Sequence, residues 1–118
     1  MSSVLSNYLG NAILTQFFDA TTYLSLHSSD PGLTGTGEIG GGDYTRELIK
    51  WTVASNKTIG NTNKIDFANL LPVTITHYGV WNEPVGGNFL IKIALDTPVD
   101  IDDGDTWVIP VNELAITL

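Results

Sequence analysis

The chain has 118 residues, no cysteine, and thirteen acidic against five basic side chains, for a formal net charge of −8. That length suits one domain with its own core, and the missing cysteines exclude a disulfide framework, thiolate metal sites and a cysteine nucleophile. The charge leaves no basic footprint, so neither nucleic acid nor an anionic membrane is expected as a partner. Charged residues are 15% of the chain and hydrophobic ones 42%. Much of the surface must therefore be Thr, Asn, Ser and apolar side chains, which suits burial against neighbours.

In chain order, the first apolar residues are periodic rather than continuous and follow no basic stretch, so no signal peptide or membrane-spanning helix is expected. Leu5, Leu9, Ala12, Ile13 and Phe17 fall at helical spacing over residues 3–19, with Ser3 as the expected N-cap. Gly10 within that pattern costs about 1 kcal/mol relative to alanine. The stripe reads as a docking face for the domain's own sheet; packing on a neighbouring subunit is the alternative.

Residues 21–27 alternate as a strand, Thr22, Leu24 and Leu26 against Tyr23, Ser25 and His27, and Ser28-Ser29-Asp30-Pro31-Gly32 stops it with turn chemistry. Residues 32–43 form a glycine-rich loop that reads as flexible. Extended patterns return over residues 44–51 and 64–67. Residues 73–95 read as a hairpin, the central element of the chain. In its first arm Val73, Ile75, His77, Gly79 and Trp81 are expected on one face; in its second, Phe89, Ile91, Ile93 and Leu95. Extended stretches at 98–101, 107–109 and 114–118 follow, with a turn over residues 102–105. The whole reads as a single mainly-β domain over residues 1–118, an antiparallel sandwich or barrel with one N-terminal helix.

Chemical motifs are few. Gly35-Thr-Gly37-Glu-Ile-Gly40 matches G-x-G-x-x-G, but a Pro-Gly turn precedes it and Gly41-Gly42-Asp43 follows. The strand-to-helix context that seats a pyrophosphate is missing. Asp100, Asp102, Asp103 and Asp105 around Gly104 could offer oxygens to calcium, yet Glu113 comes too late for the distant carboxylate of a calcium loop, and Asp-Gly is ordinary tight-turn chemistry. His27 and His77 are the only histidines and lie outside any zinc or nucleophile-elbow pattern. Trp51, Trp81 and Trp107 read as core or interface aromatics rather than a sugar platform. No catalytic residue, cofactor site or metal site is expected.

Several segments together resemble a family of small tailed-bacteriophage virion structural proteins, often labelled tail-fibre or head-decoration proteins. They are Leu26-His27-Ser-Ser-Asp30-Pro31-Gly32, Glu38-Ile39-Gly40-Gly41-Gly42-Asp43-Tyr44-Thr45-Arg46, Val73 to Trp81, Gly86-Gly87-Asn88-Phe89-Leu90, Asp103-Gly104-Asp105-Thr106 and the terminal Leu114-Ala-Ile-Thr-Leu118. The resemblance implies a non-catalytic role in the virion and no cofactor. Two functions remain open: a cement protein stitching the head lattice, the leading expectation, and a tail-fibre or adhesin module touching the host surface. Expected partners are further copies of the chain, as a homotrimer, and other virion proteins, above all the major capsid protein. The expected interface residues are Leu5, Leu9, Ile13 and Phe17 on the helix, with Leu33, Glu38, Ile39, Tyr44 and Arg46 in and after the glycine-rich loop. Arg46, the sole arginine, should find a carboxylate for its forked guanidinium.

Overall fold

The structure, a computed structural model, describes all of residues 1–118. One helix, α1 (Asn7–Phe18), precedes eight strands: β1 (Thr22–His27), β2 (Glu47–Ile49), β3 (Thr58–Gly60), β4 (Ile65–Leu70), β5 (Val73–Trp81), β6 (Phe89–Ile101), β7 (Asp105–Ile109) and β8 (Ala115–Thr117). Every pairing is antiparallel. The mainly-β expectation is therefore met. An open four-stranded sheet runs β2-β1-β5-β6, and two ribbons, β3-β8 and β4-β7, complete the fold.

One core joins these parts. The sheet contributes Leu24, Leu26, Ile49, Ile75, Tyr78, Val80 and Ile101; the ribbons add Ile59, Ile65, Phe67, Leu70, Ile109 and Ile116; the helix adds Leu14 and Phe18. Burial of such side chains is worth about 1.5–3 kcal/mol each, which is why these alternating positions fix the strands.

The central hairpin forms, but not with the expected faces. Pairing shifts register between Ile75 and His77, and again between Val80 and Trp81. After the first irregularity Tyr78 and Val80, not His77 and Gly79, join Ile75 in the core. Gly79 and Trp81 turn to the opposite face, beside Ser25. A bulge re-aims a strand in this way because it breaks the period of two. The expected separate segments at 89–95 and 98–101 are one long edge strand, β6. Pro98 is tolerated there because an edge position demands fewer ladder donors.

The helix also departs from expectation. Ser6, not Ser3, is the N-cap and accepts from Leu9 N at 3.1 Å. Docking uses Gly10, Leu14 and Phe18, so the stripe Leu5, Leu9, Ile13, Phe17 is not the face that meets the sheet. Lys57 explains why Gly10 lies inward: its side chain crosses that glycine, where any Cβ would overlap Lys57 Cγ. Its backbone N donates to Asn11 Oδ1 and its Nζ to Leu5 O, both at 2.8 Å.

Candidate functional site

Two surfaces stand out from the core: a clamped face built on the glycine-rich loop, and the outer side of α1.

The clamp begins with strand periodicity. Ser25 and His27 are two residues apart on β1 and so share the face opposite Leu24 and Leu26. His27 Nδ1 lies 2.8 Å from Thr36 O and its Nε2 2.6 Å from Ser25 Oγ, while Trp81 Nε1 donates to Ser25 Oγ at 2.8 Å. A carbonyl only accepts, so Nδ1 carries the proton, Nε2 accepts from the Ser25 hydroxyl, and the chain of donors closes. The pair has the spacing of a nucleophile and its base, yet Ser25 and His27 are both 0% exposed. No substrate carbonyl can reach it, and its geometry is that of an internal strut. Burial pushes the His27 imidazole below its ordinary value, although the Thr36 carbonyl and Glu38 pull the other way.

The loop over this strut is held, contrary to the flexible reading. Ser28 N donates to Gly37 O and Ile39 N to Leu26 O, and Gly35 N and Thr36 N both donate to Pro31 O. Gly35 is buried, with φ +84°, where a Cβ would run into Trp81 and Phe89. Glycine is required there for backbone conformation and close approach together.

Arg46 fastens the loop to the hairpin. It meets Glu38 through two nitrogens, Nη2 to Oε1 at 2.9 Å and Nε to Oε2 at 3.0 Å. Its Nη1 donates to the carbonyls of Glu83 and Gly86 at 3.1 and 2.8 Å, and its guanidinium stacks 3.7 Å from the centre of a Trp81 ring. The expected carboxylate partner is thus Glu38. Tyr44 completes the group, donating to Glu38 Oε2 at 2.6 Å and accepting from Leu26 N at 3.1 Å. Burial alone would raise the Glu38 carboxyl, but the Arg46 and Tyr44 hydrogen bonds hold it below its ordinary value. The same burial, with Glu38 as acceptor, drives the Tyr44 phenol far upward.

The remaining expected residues fall in different places. Ile39 packs half-buried against the core, and Leu33 is 90% exposed at the loop's edge. Leu5 and Ile13 are half-buried, while Leu9 and Phe17 are exposed along the helix. Val4 and Tyr8 are exposed beside them. Ser25, Thr36 and Trp81, which complete the strut, were not singled out from sequence as one group. The alternation of β1 pairs Ser25 with His27, but nothing local brings Thr36 or Trp81 to them.

The acidic turn is self-contained: Asp102 N donates to Asp105 Oδ2 at 2.9 Å, and Thr74 Oγ1 to Asp100 Oδ1 at 2.7 Å. No three acidic or histidine side chains converge as a metal site would require. No helix is long and apolar enough to cross a membrane.

The family model described as podophage GP4 fiber I protein gp80 matches residues 1–117. The chain belongs to this family. No curated protein matches it. Membership in a phage fibre family gives a virion structural role, in line with the resemblance of its motifs to small tailed-phage virion proteins.

Proposed function

We propose that the chain is a non-enzymatic subunit of a podophage tail fibre, serving attachment to the host rather than cementing the head. The observation that carries this reading is the match to a fibre family along nearly the whole chain. It favours the fibre alternative over head decoration, the leading expectation from sequence.

The geometry supports a presenting role. Residues 82–88 of the β5–β6 turn are all exposed, with Val85 at the tip 86% exposed. Arg46 ties this turn to the glycine-rich loop through the Glu83 and Gly86 carbonyls and Glu38. Two loops braced on one rigid face suit contact with another surface, because little order has to be gained on docking.

The test compares particles with and without this chain. Lost adsorption to host cells with unchanged resistance to heat-driven genome release is the expected outcome. Normal adsorption with release at lower temperature would reverse the reading, since a lattice-bound cement must raise lattice stability by mass action.

A further inference from the structure

A cavity of about 350 Å³ lies between the C-terminal turn of α1 and the segment that follows β2. Its depth is apolar: Leu14, Phe18, Ile49 and Ile59 line it, and each is 8% exposed or less. Its rim is polar, with Thr15, Asp19, Lys50 and Thr52 all exposed. The half-buried Trp51 ring joins the two zones. Trp51 Nε1 donates to the buried Thr22 Oγ1 at 2.8 Å, and the Phe18 ring stands nearly perpendicular to the indole, with centroids 5.8 Å apart. The indole is therefore fixed and its one donor already used, so what it offers the cavity is ring surface. Trp81 and Trp107 are otherwise engaged, one under Arg46 and the other bonded to Tyr78. The rim groups are unspent. Neither Asp19 nor Lys50 joins any of the chain's three ion pairs, and Thr52 Oγ1, which accepts from Gly60 N at 3.1 Å, keeps its own hydrogen to donate. Strand register puts this cavity at the end of the sheet that also carries the exposed β5–β6 turn. Thr22 pairs with Ile49, and the next residue, Tyr23, pairs with Trp81, the last of β5.

We propose that this cavity binds one neutral sugar ring, by stacking on Trp51 and by hydrogen bonds to Asp19 and the rim threonines. Size bounds the ligand first. The volume stands at the low end of small-molecule pockets, roughly 300–1,000 Å³, and fits a single ring rather than a folded partner. Chemistry then selects among small ligands. A wholly apolar one would strip water from Asp19 and Lys50 without replacing its hydrogen bonds. An anion would gain one exposed lysine and face a chain of net charge −8. A cation would give up hydration to an apolar depth. A pyranose has both characters the lining asks for. The weakly positive C–H groups of its ring face suit the negative face of an indole, while its adjacent hydroxyls donate to a carboxylate and accept from Lys50 and Thr52. The shared end of the sheet points to the source of that ring, a terminal unit of a host-surface glycan. This source rests on the attachment reading above; the cavity's preference for a sugar does not.

Tryptophan emission tests it, with the purified chain titrated by glucose, galactose, mannose, N-acetylglucosamine and rhamnose, and by glucuronate as the anionic comparison. At least one neutral sugar should give a saturable change in the millimolar range, as suits a ligand of about twelve non-hydrogen atoms. Glucuronate should give none at the same concentrations. Asp19→Asn, at an exposed position, should keep the circular dichroism spectrum and weaken binding about fivefold, since a charge-assisted hydrogen bond becomes a neutral one. Trp51→Phe should abolish the emission change, and Trp107→Phe should keep it. No saturable change with any neutral sugar, tighter binding of glucuronate, or binding untouched by Asp19→Asn would overturn the proposal. The bound sugar should also compete with adsorption of particles to host cells. Sugar binding without competition would keep the cavity's ligand and overturn its glycan source. Adsorption that needs this chain, together with no sugar binding, would leave the attachment reading standing and overturn this one.

Discussion

The clamped face and the helix differ in how their side chains are satisfied. On the clamped face every donor has a destination: Trp81 to Ser25, Ser25 to His27, His27 to Thr36, and Arg46 to Glu38 and two hairpin carbonyls. No buried side-chain nitrogen or oxygen in the chain lacks a partner. On the helix the unsatisfied quantity is apolar area, since Leu9 and Phe17 are about half exposed and Tyr8 is 85% exposed. The convergence of buried polar groups thus serves the fold on one surface, while the other leaves apolar area exposed on an acidic domain.

The sharpest break between the regions, and the largest expected effect, lies within the helix itself. Leu14→Ala empties a position only 1% exposed and should cost about 3 kcal/mol, within the 2–5 typical of such truncations. Leu9→Ala, at a position 46% exposed, should change stability by less than about 0.5 kcal/mol. Urea unfolding of the two variants measures the contrast; equal losses would mean that both bands pack internally.

Next comes the clamp. Arg46→Ala leaves Glu38 without its cation and frees two carbonyls. The side chains are 9% and 23% exposed, so the loss should fall somewhat below the 3–5 kcal/mol of a fully buried pair, about 2–3 kcal/mol. Arg46→Lys should recover only part of it, because a point charge cannot serve Glu38, both carbonyls and the Trp81 face together. Full recovery by lysine would show that charge alone, and not the fork, holds the loop.

Gly79→Ala probes the same face from below. An added Cβ would stand 2.5 Å from Ser25 Oγ, 2.7 Å from His27 Nε2 and 2.8 Å from Phe89 Cε1. Moving that strut should cost about 1–2 kcal/mol by overpacking and alter the Trp81 fluorescence. A neutral substitution would mean that the strut has slack.

Legibility followed the range of the forces. The mainly-β class, the β1 strand and the central hairpin were readable because period-two alternation is local. The faces of β5 were not, because one bulge after Ile75 inverts every later position and leaves no composition signal. β3 was missed because its turn, Asn56-Lys57, takes positive φ of 53° and 60° without glycine. The helix was readable but not its docked side, since Leu9-Ile13-Phe17 and Leu14-Phe18 are equally apolar and Lys57, far along the chain, decides between them. A carboxylate for Arg46 could be foreseen from its chemistry. The loop's rigidity could not, because its fastenings reach from Arg46 to Gly86.

The smallest expected effect is the pH dependence contributed by the clamped face. His27 titrates below its ordinary value of 6.5 in the folded chain. The unfolded chain therefore binds the proton first, and stability present above about pH 6.5 declines as the pH falls through the lowered folded value. The hydrogen-bond pattern gives the reason: a proton on Nε2 turns an acceptor into a donor facing Ser25, whose oxygen already receives Trp81, and the buried hydroxyl hydrogen loses its partner. Glu38 adds a second decline at lower pH. Its folded value lies below the ordinary 4.5, so its contribution is present above about 4.5 and disappears as the carboxyl protonates. Urea midpoints for wild type should thus be flat from pH 8 to about 6.5 and then fall in two stages. In His27→Gln the first stage should vanish while the second remains, at a lower overall stability. A first stage undiminished in that variant would assign the acid sensitivity to another group and leave the strut pH-silent.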